Sequence, residues 1–252
     1  MIPKVIHYCW FGKNPLPQLA VKCIESWKKY LPEYEIKEWN EDNFDVNMIP
    51  YTREAYEAKK YAFVSDYARF WILYNYGGLY FDTDVEVIKP LDDIIASGPF
   101  MGCEKDASDT SVASVAPGLG LGVNPGHGLY KELLNLYATL HFIKSDGSYN
   151  MKTIVPYTTE ILSAYGLKCI NGIQECGGIW IYPKEYFCPK DYKSHKIRVT
   201  DNTRTIHHYD SSWLSHSQKM KKKFEKFIGP NKYAKLLKIN EFIKGKLRFI
   251  RL

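Results

Sequence analysis

No apolar run in this sequence approaches the length of a membrane-spanning helix. No two of its six cysteines (Cys9, Cys23, Cys103, Cys169, Cys176 and Cys188) stand at C-x-x-C spacing, which argues against a zinc cluster. The opening stretch MIPKVIHYCWFGKNP holds no apolar core of signal-peptide length, so a cytoplasmic chain with reduced thiols is expected. There is no internal repeat, no low-complexity segment and no clean domain boundary before about residue 214. Acidic residues are scarce at the far end. Lys219 to Leu252 carry twelve Lys or Arg against two Glu, a net +10, which leaves −4 on the other 218 residues of a chain whose total is +6. A slightly acidic body with a basic tail argues against a general nucleic-acid binder and assigns the tail a local task.

What is present is an ordinary globular composition. The 252 residues, 45% hydrophobic and 25% charged, fit one large or two small domains. Aromatics reach 15%, with 20 Tyr and 6 Trp, enough both to fill a core and to offer platforms for sugars or bases. The spacing predicts a buried strand over residues 5–9 and a helix over 18–30, with Leu19, Cys23, Ile24 and Trp27 along one face and Pro32 as its stop. YEIKEWN alternates like a strand. Phe63, Tyr67, Phe70, Trp71 and Tyr74 recur at helical spacing before the stop signal Gly77-Gly78, and LYFDTDVEVIKP then reads as a strand. Strand and helix alternating in this way indicate an open α/β sheet. Residues 105–128, rich in Ser, Gly and Pro, read as a long loop. Helices are expected near 129–141 and 157–165, with short strands at 179–182 and 203–208.

Two acids interrupt the predicted strand after Gly77-Gly78. Asp82 and Asp84, at i and i+2, would point to one side of an extended chain, where they repel unless a cation or a proton lies between them. A hard divalent cation resolves that conflict, and such ions take their remaining ligands from water and substrate phosphates. The end of a parallel-sheet strand is also where open α/β sheets place ligands. A metal–diphosphate site follows, although an isolated D-x-D is most often a pair of surface charges. In the helix before it, Ser65, Asp66 and Arg69 break the aromatic surface. Asp66 and Arg69, at i and i+3, are either an ion pair on a solvent face or a pair that faces the site and grips sugar hydroxyls. Late in the chain TIHHYDSSW gathers His207, His208, Asp210, Ser211, Ser212 and Trp213, either as a turn that caps the tail helix or as a loop closing the metal site through an imidazole.

The blocks IPKVIHYCWFG, FVSDYARFWILYNYGGLYFDTDVEVIKPLDD and IHHYDSSW, in this order, resemble the family 32 glycosyltransferases that carry a sugar-binding D-x-D region. These include bacterial capsular polysaccharide synthesis proteins and the yeast initiating α-1,6-mannosyltransferase, with the clostridial glucosylating toxins as more distant relatives. The resemblance covers residues 1–213 and implies a GT-A fold: a Rossmann-like, mixed and mostly parallel sheet flanked by helices, here with a basic helical tail over 214–252. It implies a nucleotide-sugar donor, Mn²⁺ (or Mg²⁺), and transfer with retention of anomeric configuration. Residue by residue, it gives Trp10 as the stack for the donor base and Asp66 and Arg69 as contacts to the transferred sugar. Tyr80 lies beside the donor, Asp82 touches ribose and metal-bound water, and Asp84 is the direct metal ligand. His208, ahead of His207, supplies a further metal ligand, with Ser212 and Trp213 near the diphosphate. The resemblance departs in one place: Gly118 and Gly120 stand where many relatives have an Asn-bearing loop.

The expectation is therefore a hexosyltransferase, with a UDP-sugar ahead of GDP-mannose as donor and a saccharide acceptor, lipid-linked, in capsule or surface-glycan synthesis. The tail's second half places Tyr233, Leu236, Leu237, Ile243, Leu247 and Ile250 near one helical face with Lys and Arg elsewhere, a pattern that either lies on an anionic inner membrane face or packs with a solvated basic face. Two other readings stay open: a membrane-surface adaptor with a degenerate site, and a D-x-D phosphotransferase.

Overall fold

The structure, a computed structural model, describes residues 1–108, 110–191, 194, 196–210, 220 and 229. Its first elements are β1 (Val5–Cys9), α1 (Gln18–Tyr30), β2 (Glu35–Trp39), α2 (Pro50–Glu57) and α3 (Tyr61–Tyr76). Helix α1 buries Ala20, Cys23, Ile24 and Trp27 on one stripe, the spacing its sequence prescribes. The Trp27 indole N–H, fully buried, donates to the Val85 carbonyl at 2.8 Å, so the stripe's largest residue also ties α1 to the segment after the D-x-D. Helix α3 is buried on nearly every side, from Phe63 and Val64 through Asp66, Ala68 and Arg69 to Leu73. Asp66 and Arg69 are therefore an interior pair, which removes the solvent-face reading.

Strand β3 (Gly78–Tyr80) follows at once. A Cβ on Gly78, whose φ is +97°, would lie 2.6 Å from the Val5 carbonyl oxygen, so β3 approaches β1 only because no side chain stands there. LYFDTDVEV then forms two strands rather than one. A turn closed by Val85 N–H donating to the Asp82 carbonyl at 3.0 Å separates β3 from β4 (Val85–Val87), which belongs to another sheet. Asp is a strand breaker and a good turn former, so the expectation that both acids share one strand face does not hold.

The remaining elements are α4 (Asp92–Ala96), β5 (Phe100–Lys105), β6 (Ser114–Val115), β7 (Leu121–Val123), α5 (Gly128–Ala138), α6 (Ile154–Ala164), β8 (Gln174–Cys176), β9 (Ile179–Tyr182), α7 (Lys184–Phe187) and β10 (Thr205–His207). The large sheet has the order β2-β1-β3-β7-β5-β9-β8, with β6 beside β5. Along that path β2, β1, β3, β5 and β9 run one way and β7 and β8 the other. This is the mixed, mostly parallel sheet flanked by helices that the sequence resemblance implies. Strand β7 lies inside a stretch that reads as loop. Its Gly122 looks like a turn signal, yet a Cβ there would meet a Phe100 ring carbon at 2.4 Å, so the glycine is what lets the sheet close. Strand β10 pairs antiparallel with β4 in a separate two-stranded sheet.

Apolar residues alternate across the strands into two cores. Tyr80, Met101, Leu121 and Ile181 join α2, α3, α5 and α6 on one face. Ile6, Leu79, Phe81 and Phe100 join α1, β4 and α7 on the other. Two compact units divide the chain, Met1–Tyr209 and Asp210–Leu252. The tail helices expected over 214–252 lie outside the described residues. Among the described residues no helix is long and apolar enough to cross a membrane.

One buried histidine fastens the sheet to the end of α3. Trp39 Nε1–H donates to His7 Nδ1 at 3.0 Å, and an indole N–H can only donate, so the His7 proton lies on Nε2 and is given to the Gly77 carbonyl at 3.1 Å. Burial pushes the His7 pKa down to about 4 from 6.5. The unfolded chain therefore binds the extra proton between these values, and this contribution to stability rises from pH 4 to 6.5 and is flat above. His7→Phe orphans both partners. It is expected to cost about 2 kcal/mol and to flatten the acid limb of the melting-temperature profile; a variant profile parallel to wild type from pH 4 to 7 would refute the assignment.

Candidate functional site

The site lies at the carboxyl ends of β1 and β3, where open sheets hold ligands. Parallel pairing of these strands, with His7 opposite Tyr80, puts Trp10 and the D-x-D turn on the same edge. At its centre is Arg69, whose side chain is 4% exposed. Its Nε donates to the Ser65 carbonyl at 3.0 Å, one turn back on α3. One terminal nitrogen meets Asp66 Oδ1 at 3.0 Å and the other meets Asp82 Oδ2 at 3.4 Å. The guanidinium also lies over the Tyr80 ring, 5.0 Å from its centroid. The Tyr80 hydroxyl donates to Asp82 Oδ1 at 3.1 Å. A buried cation with two carboxylates and a ring face is compensated, and each of its donors has a fixed direction.

The two acids beside Arg69 differ. Asp66 uses both oxygens, Oδ1 on Arg69 and Oδ2 on the Ile154 N–H at 3.2 Å, the first amide of α6. It thus caps α6 from another helix, which favours negative charge there. Burial nonetheless pushes its pKa up to about 7, with Arg69 pulling the other way. Asp82 is more open, its side chain 31% exposed. Burial raises its pKa, Arg69 opposes, and Asp84 adds to the rise.

Asp84 belongs to the other arm of the turn. Its Oδ1 lies 3.3 Å from His207 Nε2, both side chains being 17% exposed. Burial lowers the His207 pKa, but the Asp84 carboxylate and the neighbouring Cys188 outweigh it and push the value up to about 10. His208 goes elsewhere: its Nε2 meets Glu86 Oε2 at 2.8 Å, and Glu86 also holds Lys22 at 3.0 Å. The expected order of the two histidines is therefore reversed: His207, not His208, stands at Asp84. Period-two alternation would group Asp84 with Glu86 and, across the ladder, with His208, whose N–H bonds the Asp84 carbonyl at 2.9 Å. The turn at Thr83 and Asp84 breaks that alternation, and the Asp84 side chain emerges on the His207 side.

Trp10 is partly buried, its indole N–H on the Asn14 carbonyl at 2.6 Å. Tyr80 is fully buried, so its hydroxyl and ring serve Asp82 and Arg69. Ser212 and Trp213 lie outside the described residues. Two residues join the site that the sequence reading did not assign. Gly118 accepts the Asp82 N–H at 3.0 Å, and a Cβ on it would sit 1.9 Å from Asp82 Oδ2 and 3.0 Å from Arg69 Nη1. The three alternating glycines of PGLGLG were the available signal for a close approach. Glu104, a charge ending the apolar strand β5, is partly buried, and burial raises its pKa against the pull of His207 and Lys184.

For a divalent cation, the two groups in contact are the Asp84 carboxylate and the His207 imidazole. Among the described residues no group of three or more His, Cys, Asp or Glu is arranged to hold a metal. A pair still fits an ion that completes its shell with substrate phosphates, and imidazole suits Mn²⁺ better than Mg²⁺. His207 must lose its proton to bind, so cation binding would release one.

Residues 17–101 match the family model described as the glycosyltransferase sugar-binding region containing DXD motif. That stretch contains Asp66, Arg69, Tyr80, Asp82 and Asp84, and the resemblance read from the sequence holds over it. Inositol phosphoceramide mannosyltransferase 3 of Schizosaccharomyces pombe is 33% identical over 98 residues, 37% of this chain and 27% of that protein. Mannosyl phosphorylinositol ceramide synthase CSH1 of Saccharomyces cerevisiae is 26% identical over 204 residues, 77% of this chain and 50% of that protein. The chain thus spans half or less of these relatives' length. Among solved structures, PaToxG glycosyltransferase superposes with a TM-score of 0.48 at 18% identity, over 65% of this chain and 69% of that one.

Proposed function

We propose that the protein is a metal-dependent, retaining glycosyltransferase that moves a hexose from a nucleotide sugar to a saccharide acceptor, lipid-borne, in surface-glycan synthesis. The observation that carries this reading is the split D-x-D: Asp82 is gripped by a buried Arg69 while Asp84, two residues on, meets His207. Asp84 and His207 would hold the cation, which when bound neutralises charge on the leaving nucleoside diphosphate. Asp82, the more exposed acid, offers an oxygen to the donor, and Arg69 and Tyr80 keep that oxygen in place.

The route with retention rests on Asp66. A double displacement needs a free carboxylate near the anomeric carbon, and Asp66 has one oxygen on Arg69 and the other on Ile154. The acceptor hydroxyl instead attacks on the face the diphosphate leaves. Its oxygen bonds the anomeric carbon as the bond to phosphate breaks, and its proton passes to the departing phosphate oxygen. The names of the yeast relatives support a lipid-borne acceptor and bring mannose forward as the hexose. The basic tail supports work at an anionic membrane on the cytoplasmic side.

The test is a panel of UDP- and GDP-sugars, read by nucleotide release with Mn²⁺. At least one donor is expected to turn over, and Asp84→Ala to lower the rate about 100-fold or more. No turnover with any donor, together with phosphate release from simple phosphoesters, would favour a phosphotransferase.

A further inference from the structure

We propose that Tyr209 is a positioning residue that clamps the His207 imidazole against Asp84, anchored through Cys188 on the end of α7. The role rests on the reading of Asp84 and His207 as the cation site.

Three observations carry the clamp. Tyr209 is one of only three non-glycine residues among those described with positive φ, at +56°. A bulky residue in that region is strained, and such strain persists where surrounding contacts over-determine it, often at a functional site. Here the left-handed turn folds the chain back directly after the two histidines. The Tyr209 ring returns onto His207, with centroids 4.2 Å apart and planes at 49°. Its hydroxyl then meets Cys188 Sγ at 2.9 Å. Cys188 is fully buried at the end of α7. The same end of α7 holds β10 in place, since Thr205 Oγ1 donates to the Phe187 carbonyl at 2.9 Å and Arg204 N–H to the Tyr186 carbonyl at 2.8 Å. The tyrosine therefore links the His207 ring to a fixed part of the fold.

The chemistry says why His207 needs such a partner. A ligating histidine is normally oriented by its other ring nitrogen, which donates to a carboxylate or carbonyl. His207 Nδ1 is buried with no carboxylate or carbonyl partner among the described residues, and the side chain beside the ring is Cys188, which the Tyr209 hydroxyl holds. Packing against Tyr209 does the orienting that a hydrogen bond does elsewhere. The inference is specific: the ring is required, the hydroxyl secures the ring, and the left-handed backbone delivers it.

The experiment uses the full chain and two readouts. The first is independent of any cation: the ¹H–¹⁵N signals of the His207 imidazole. The second is the free Mn²⁺ remaining in titrations, followed by electron paramagnetic resonance. Tyr209→Leu removes the ring and Tyr209→Phe keeps it. Tyr209→Asn tolerates the left-handed turn but has no ring, which serves if the leucine variant does not fold. The leucine and asparagine variants are expected to shift and broaden the His207 signals and to weaken Mn²⁺ binding about 10- to 100-fold. Tyr209→Phe keeps the ring but loses its anchor on Cys188, and should fall between wild type and the leucine variant in both readouts. The clamp is overturned if Tyr209→Asn leaves the His207 signals and Mn²⁺ affinity unchanged. His207→Ala separates the two levels. If it leaves Mn²⁺ affinity intact, the cation-site reading fails, and the imidazole signals alone then decide whether Tyr209 orients the ring.

Discussion

Gly118→Ala should yield a folded protein that has lost almost all turnover. The added methyl would sit 1.9 Å from Asp82 Oδ2 and 2.8 Å from its Cγ, so the carboxylate must move. It has little freedom to move as a unit, because the Gly118 carbonyl holds the Asp82 N–H at 3.0 Å. The side chain must rotate, giving up the Tyr80 hydroxyl at 3.1 Å and the Arg69 contact at 3.4 Å. Overpacking of this kind costs about 1–3 kcal/mol, while a misplacement of about 1 Å in a positioning group lowers rates about 100-fold. The two effects are separable: donor turnover should fall by two orders of magnitude or more, and melting temperature by only a few degrees. A variant with wild-type kcat/KM would show that Asp82 does not need the space at residue 118. Gly120→Ala provides a contrast. Its residue has φ +145° and its nearest neighbours are the Phe81 and Phe187 rings at 3.0 and 3.1 Å, so the burden should fall on stability rather than on turnover.

Arg69→Met should be the most destabilising single change in the site. It leaves Asp66 and Asp82 without the cation between them. Breaking a buried pair by removing one partner costs about 3–5 kcal/mol, which for a domain of this size lowers the melting temperature by roughly 10 °C or more. The loss should depend on pH in a defined direction. Burial already raises the pKa of both acids, Asp66 to about 7, while Arg69 pulls both down. Without Arg69 they rise further. A carboxylate whose folded pKa exceeds its unfolded value stabilises the fold below the unfolded value, and that contribution is lost as pH climbs through the folded one. The deficit of the variant should therefore be smaller at pH 5 than at pH 8. Thermal denaturation at the two pH values decides it, and an equal deficit at both would mean that the acids are not what Arg69 compensates. Arg69→Lys keeps the charge but not the planar fork that reaches Ser65, Asp66 and Asp82 together, and should recover only part of the loss.

The local elements of this protein were legible in its sequence. The stripe Cys23, Ile24, Trp27 specified α1, the apolar run at residues 5–9 specified β1, and Gly77-Gly78 marked the end of α3. The chemical identity of the site, two acids after a glycine pair and an Asp–Arg pair one helix earlier, was equally visible. These features follow from periodicity and backbone propensity, which act over a few residues. Three others were not legible. Strand β7 was hidden because Gly122, which reads as a loop residue, is there to admit the Phe100 ring. Asp82 and Asp84 were expected on one face of one strand, and instead a turn sends them to different partners. His207 displaced His208 at Asp84 for the same reason, since a single turn reverses which face each side chain takes. Asp82 meets Gly118, Asp66 meets Ile154 and Asp84 meets His207 across separations of 36, 88 and 123 residues, contacts that neighbouring residues do not encode. The sequence by itself determined which elements form and which reactive groups exist. Only the tertiary structure decided which groups meet, because one turn and one missing Cβ, each set by packing against distant elements, choose the partners of Asp82 and Asp84.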